Sequence, residues 1–214
     1  MSDKDLPVFY SFRRCPYAMR ARMAIAVSEF NCELRELILK DKPEAMLKAS
    51  PKGTVPVLIL TNGQVIDESL EIMLHVLQSE DPGNWLYDKS DSLELIEQYD
   101  RLFKPLLDRY KYHVGYKELS FDEHRSNTLP FLNQLNQRLE NTVQLMADDI
   151  RLADIALMPF IRQYAFVDKP WFDDQDWPNL HRWLDNHLNS RLFKSIMPKF
   201  KLFNDGFRYT FPLQ

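Results

Sequence analysis

An α/β domain followed by an all-α domain is the fold class that the sequence predicts, and three observations predict it. Short β-branched and aromatic runs alternate with helical patterns over the first eighty residues. A cluster of turn formers, Asp81, Pro82, Gly83 and Asn84, then interrupts the chain. Beyond it the apolar residues recur at helical spacing and strand signals disappear. The expected division is 1–80 for the α/β domain, 81–92 for a linker and 93–214 for the all-helical domain.

Residues 8–12, VFYSF, read as a short buried strand that stops at Arg13. Pro16 suits the first turn of a helix, where a missing N–H is harmless, and Met19, Met23, Ala26, Val27 and Phe30 continue it to about Asn31. A second strand over 33–39 and the helical stretch KPEAMLKAS follow. TVPVLIL and QVID, joined through Thr61, Asn62 and Gly63, form a hairpin, because Asn-Gly between apolar runs favours the tight turn that antiparallel strands need. A helix from Glu68 to Gln78 is apolar on much of its circumference and should pack on two sides.

After the break, helices are expected over 91–113, 122–146, 152–166, 178–189 and 190–200. Pro105, Pro130 and Pro159 mark helix starts or kinks within these windows. The aromatic C-terminus FRYTFPLQ is expected to fold back onto the body.

A chain of 214 residues buries a full core without covalent staples. Its 45% hydrophobic and 27% charged residues, with five glycines, exclude a disordered or fibrous protein. The net charge of −4 gives no general attraction for phosphate backbones, so no nucleic-acid partner is expected. The N-terminal MSDKDLPVFYSF lacks a basic region followed by an apolar core, and no apolar run approaches the roughly 20 residues of a spanning helix. No membrane association is therefore expected, and the expected location is cytoplasmic. Five histidines show no metal-ligand spacing with the two cysteines, so no metal is expected.

Chemistry is most legible around Cys15 in RRCPYAMR. A buried cysteine is often inert. Here, however, a strand ends in a cysteine that is followed by proline and a helix. The sulfur then meets the unpaired amides and the positive end of the helix dipole, which favour thiolate. Ala18 stands where a dithiol motif would carry its second cysteine, so the thiol must act with a thiol brought from outside, or as a nucleophile or hydrogen-bond partner. Cys32 reads as structural. Arg13, Arg14, Arg20 and Arg22 surround the motif and could add to the effect, although arginines on a helix usually form a solvated face.

CPYA, PKGTVPVL and DES together resemble the glutathione S-transferase superfamily, and the resemblance covers nearly the whole chain. It implies a thioredoxin-like domain before the all-α one, with glutathione as co-substrate. The cysteine most resembles the omega class and related bacterial glutathione transferases. By the same resemblance Pro56 matches a cis-proline, which on sequence alone would be trans, and Val55 offers its backbone to the cysteinyl part of glutathione.

Glu68 and Ser69 match the pair that holds the γ-glutamyl end, the acid for its ammonium and the helix N-terminus for its carboxylate. Lys42 matches a lysine directed at the glycyl carboxylate. RLADIALMPF resembles the folding motif of the helical domain; Asp154 fits it, while Arg151 replaces the hydroxyl that caps the helix.

The implied function is a thiol transferase or reductase acting through a mixed disulfide between Cys15 and glutathione. Conjugation of glutathione to small electrophiles and a non-catalytic interaction protein are the alternatives. The second substrate is a small molecule or a disulfide, the resemblance implies a homodimer, and Tyr17, Phe103, Tyr110, Tyr164, Phe166 and Trp171 are candidates to line a pocket for that substrate.

Overall fold

The protein is described by a computed structural model that covers residues 6–213. The first five residues, on which part of the expectation of no leader rests, lie outside the described residues. The early elements follow the expected order: β1 (Val8–Ser11), α1 (Pro16–Val27), β2 (Cys32–Glu36), α2 (Glu44–Ala49), β3 (Val57–Ile59), β4 (Val65–Ile66) and α3 (Ser69–Ser79). α1 is the crossover between β1 and β2, which pair in parallel with Ser11 level with Glu36. β3 runs antiparallel to β1, and β4 turns back along β3. The mixed sheet with flanking helices is thioredoxin-like.

Side chains alternate across this sheet. One face buries Tyr10, Leu37 and Val57 together with Met46 of α2. α1 packs with α3 and carries a row of buried residues that includes Ala18, Met19 and Arg22. Truncating a core residue such as Met19 to alanine costs about 2–5 kcal/mol where the surroundings cannot close the gap.

The C-terminus folds back onto the body as expected, but in a form that the sequence did not predict. Tyr209–Phe211 is a strand, β5, antiparallel to β2, so among the described residues the sheet has five strands in the order β4-β3-β1-β2-β5. Three residues are too few to show an alternating pattern, and it is the open edge of β2 that supplies their hydrogen-bond partners. The chain accordingly divides into a unit of Met1–Gly83 with Asn189–Gln214 and a second unit of Asn84–Leu188. The last residues therefore belong with the sheet, and not with the helical segment 93–214 in which they were expected.

The second unit is helical: α4 (Lys89–Gln98), α5 (Lys104–Lys111), α6 (Phe121–Ser126), α7 (Leu129–Arg138), α8 (Leu152–Ala165), α9 (Lys169–Asp173) and most of α10 (Pro178–Asn189). α11 (Arg191–Ile196) falls in the first unit. A π turn at Tyr99–Phe103 joins α4 to α5 and turns both of those rings into the core, where Phe103 stacks on Phe131 at 4.7 Å. The window 122–146 resolves into two helices, since Pro130 opens α7 instead of continuing α6.

Asp154 anchors the buried α8. Its carboxylate accepts the backbone N–H of Arg151 at 2.9 Å, that of Leu145 at 2.8 Å and the Trp183 indole N–H at 2.9 Å. The Arg151 side chain has no oxygen to offer the first turn; its backbone carbonyl accepts the Asp154 N–H at 3.1 Å, and the Trp85 carbonyl accepts the Leu152 N–H at 2.9 Å.

Candidate active site

Cys15 ends a tight turn that follows β1. Its N–H donates to the Phe12 carbonyl at 3.0 Å, and its own carbonyl accepts the Met19 N–H at 2.9 Å, already as part of α1. The residue is extended (φ −77°, ψ 122°) and occupies the cap position before Pro16. Its partly exposed thiol donates to the Val55 carbonyl at 3.6 Å. The sulfur thus belongs to the residue at the N-cap of α1, with its S–H turned to the Val55 carbonyl.

A cleft of about 480 Å³ opens at this sulfur. All six residues singled out in the sequence, Cys15, Lys42, Val55, Pro56, Glu68 and Ser69, line it. The Val55–Pro56 peptide is cis. Gly53 has φ +63°, a conformation that L side chains avoid; a Cβ there would stand 3.3 Å from Leu47 Cδ2 and 3.7 Å from Lys42 Nζ. It is the backbone conformation and the close approach of Leu47 that call for glycine at this turn.

Two charged residues of the cleft, Lys52 and Asp67, were not foreseen. Lys52 pairs with Asp67 at 3.0 Å and with Glu68 at 2.6 Å, and the Ser50 hydroxyl donates to the other Asp67 oxygen at 2.6 Å. Ser50 and Lys52 hold the Asp67 carboxyl below its usual range. The sequence carried a faint signal, a lysine just before the glycine of PKGTVP and an aspartate before Glu-Ser, but only the approach of the two loops makes it a cluster. Glu68 caps α3 and Ser69 begins it.

The arginines of α1 require a correction. Arg20 and Arg22 are buried, not part of a solvated face. Arg20 Nε donates to Ser69 Oγ at 2.9 Å and so ties α1 to the start of α3. Arg22 pairs with Glu36 beneath the Cys15 turn. Helical spacing alone does not reveal this, because an acid and a hydroxyl on other elements satisfy these cations.

Cys32 lies fully buried in β2 away from the cleft, and burial pushes its thiol up. Ala18 is also buried, one turn into α1. Among the aromatic candidates, Tyr17 lines the cleft, whereas Phe103, Tyr110 and Tyr164 are interior residues of the helical unit. Phe166 is exposed beneath Arg162, and Trp171 lies under Arg125. Among the described residues no cluster of three or more His, Cys, Asp or Glu is placed to hold a metal ion, and no helix is long and apolar enough to cross a membrane.

A thioredoxin-like sheet with a cysteine at its first helix, a cleft bounded by a Glu-Ser helix start and a following helical unit together define a class of glutathione-binding folds. Family models agree with that class: "Glutathione S-transferase, N-terminal domain" matches residues 9–85 and "Glutathione S-transferase, C-terminal domain" matches residues 118–186. The chain belongs to the glutathione S-transferase superfamily.

Its relatives include a probable glutathione transferase of Aplysia californica, 35% identical over 42% of this chain and 94% of that protein. Rat glutathione S-transferase omega-1 is 41% identical over 28% of this chain, and the pig omega-1 protein 33% identical over 47%. The matched parts span 25% and 43% of those two proteins.

Solved structures share the fold. A glutathione transferase family member from Pseudomonas fluorescens with two glutathione bound has a TM-score of 0.78 at 14% identity, over 92% of this chain and 94% of that one. A glutathione S-transferase from Methylobacillus flagellatus with glutathione bound has 0.73 at 20%, over 90% and 100%.

Proposed function

We propose that the protein is a glutathione-dependent thiol transferase or reductase whose nucleophile is Cys15. The Cys15 thiolate attacks a glutathionylated disulfide; a Cys15–glutathione disulfide forms, and the substrate thiolate leaves. A second glutathione thiolate then attacks the mixed disulfide, which frees Cys15 and yields oxidised glutathione. In the net exchange one glutathione thiol enters, the substrate leaves as a thiol, and the incoming glutathione joins the glutathionyl group released from the substrate as oxidised glutathione.

The observation that carries this reading is the single accessible thiol at the start of α1, in one cleft with Lys42, Glu68 and Ser69. Buried Ala18 offers no resolving partner within the motif. In the proposed complex Lys42 takes the glycyl carboxylate and the Val55 backbone pairs with the cysteinyl unit. The start of α3 at Ser69 receives the γ-glutamyl carboxylate, and Glu68 with Asp67 faces its ammonium. Glutathione is the co-substrate and the second substrate is a disulfide or small molecule. A cytoplasmic homodimer fits the family resemblance.

Mass measurement after incubation with oxidised glutathione tests the reading. One glutathionyl group on Cys15 supports it. An unmodified Cys15 together with efficient conjugation of an aryl halide would replace it with the conjugating mechanism, in which the site stabilises the thiolate of glutathione.

A further inference from the structure

Glu36 ends β2 level with Ser11, and only 6% of its side chain is exposed. One carboxylate oxygen pairs with Arg22, whose side chain is wholly buried. Arg22 also donates to Ser11 Oγ at 2.8 Å and to the Ile196 carbonyl at 3.1 Å, and it lies over the Phe200 ring. As a source of stability a buried ion pair is unremarkable, because apolar residues of similar volume serve as well or better.

The second oxygen of Glu36 does something else. It accepts the backbone N–H of Arg13 at 2.7 Å, two residues before the sulfur. The chain between them has little slack, since the Cys15 N–H closes the turn onto Phe12 and Cys15 already leads into α1. A shift at Arg13 is therefore passed to the position of Sγ against the Val55 carbonyl and the first amides of α1.

We infer that Glu36, braced by Arg22, is the positioning residue for Cys15: it pins the turn that aims the thiol. Arg22 is in electrostatic reach of both Arg13 and Cys15, so the pair also sets part of the field at the sulfur. The other charges near Cys15 include Arg13 and Arg14 on its own turn, Arg20 on α1, and Lys42, Lys52, Asp67 and Glu68 on the loops that line the cleft. Those charges are unchanged in the variants below, so a difference between the variants belongs to the Glu36 position.

The test compares Arg22→Met with Glu36→Gln against Arg22→Met with Glu36→Leu. Both lack the two charges, but only the glutamine keeps an acceptor for the Arg13 N–H. The readout is the pH profile of Cys15 alkylation by iodoacetamide, followed by peptide mass, beside a melting curve for each variant. The leucine variant is expected to react about ten-fold more slowly at pH 7 than the glutamine variant, with its midpoint moved toward that of a free thiol. Equal rates and midpoints in the two would overturn the inference. If the leucine variant does not fold, Glu36→Asp, which draws the carboxylate back by one methylene, takes its place: a midpoint moved from wild type supports the inference and an unmoved one overturns it. The inference rests on Cys15 as the reacting atom. Alkylation needs no glutathione, so a wild-type protein that failed to form the mixed disulfide would remove the proposed function and leave this comparison intact.

Discussion

Cys15 and Val55 are forty residues apart in sequence, yet the thiol of one donates to the carbonyl of the other at 3.6 Å. The contact joins the start of α1 to the loop before β3 and fixes which wall of the cleft the sulfur faces.

Replacing Cys15 with serine is expected to lower glutathione-dependent disulfide reduction by at least about a hundred-fold, since a hydroxyl is a far poorer nucleophile at neutral pH. The thermal midpoint should change little, because Cys15 is only partly buried. Cys32→Ser should do the reverse, leaving activity in place and lowering stability by about 1–3 kcal/mol as a hydroxyl enters a buried strand. A disulfide-exchange assay beside a melting curve on both variants checks the pair.

Lys42→Ala and Glu68→Gln should act on binding. Each removes one charged contact of the proposed glutathione complex, worth about 1–2 kcal/mol, so KM for glutathione is expected to rise roughly five- to thirty-fold with a smaller change in kcat. A fall in kcat at unchanged KM would assign these residues to the chemical step instead.

Gly53→Ala places a Cβ at φ +63° and 3.3 Å from Leu47 Cδ2. The left-handed conformation costs a non-glycine residue about 1–2 kcal/mol, and the new methyl also stands 3.7 Å from the Lys42 ammonium. The expected result is a loss of stability of that size with glutathione binding little changed, since 3.7 Å is an ordinary contact that leaves the Lys42 ammonium in place. Urea unfolding and glutathione titration of the same preparation measure both.

Stability against pH should expose two opposed buried groups in the helical unit. Burial lowers the His187 imidazole to about 4, so the stability it contributes is complete above its unfolded value near 6.5 and is lost as pH falls toward 4. Burial raises the Asp154 carboxyl to about 6 despite its three N–H donors, so its contribution is complete below its unfolded value near 4 and is lost as pH rises through 6. Each change approaches about 3 kcal/mol at most, and between pH 4 and 6 they offset one another. Relative to wild type, His187→Gln should therefore gain stability as pH falls from 6.5 to 4, and Asp154→Asn should lose it as pH falls from 6 to 4. Urea unfolding at half-unit pH steps reads both slopes.

Much of the site was legible because its signals are local. A cysteine before Pro16 at a strand end, Asn62-Gly63 between apolar runs and Ser69 at a helix start each declare a backbone geometry within a few residues. Lys52 with Asp67, and Arg20 with Ser69, were not legible, since each pair joins segments far apart in sequence. The same limit hid β5: Tyr209, Thr210 and Phe211 carry too short a pattern to declare a strand until β2 offers them an edge.

The sequence by itself determined the class of fold and the order of the early elements, because those follow from the hydrophobic period and the residues that start and stop helices. Only the tertiary structure decided that the C-terminal residues join the sheet, that Arg20 and Arg22 are interior, and that Glu36 reaches the amide of Arg13. Such choices depend on which donors and acceptors meet once the sheet is assembled. A buried charge or an open strand edge is tolerated only where a distant segment arrives to satisfy it.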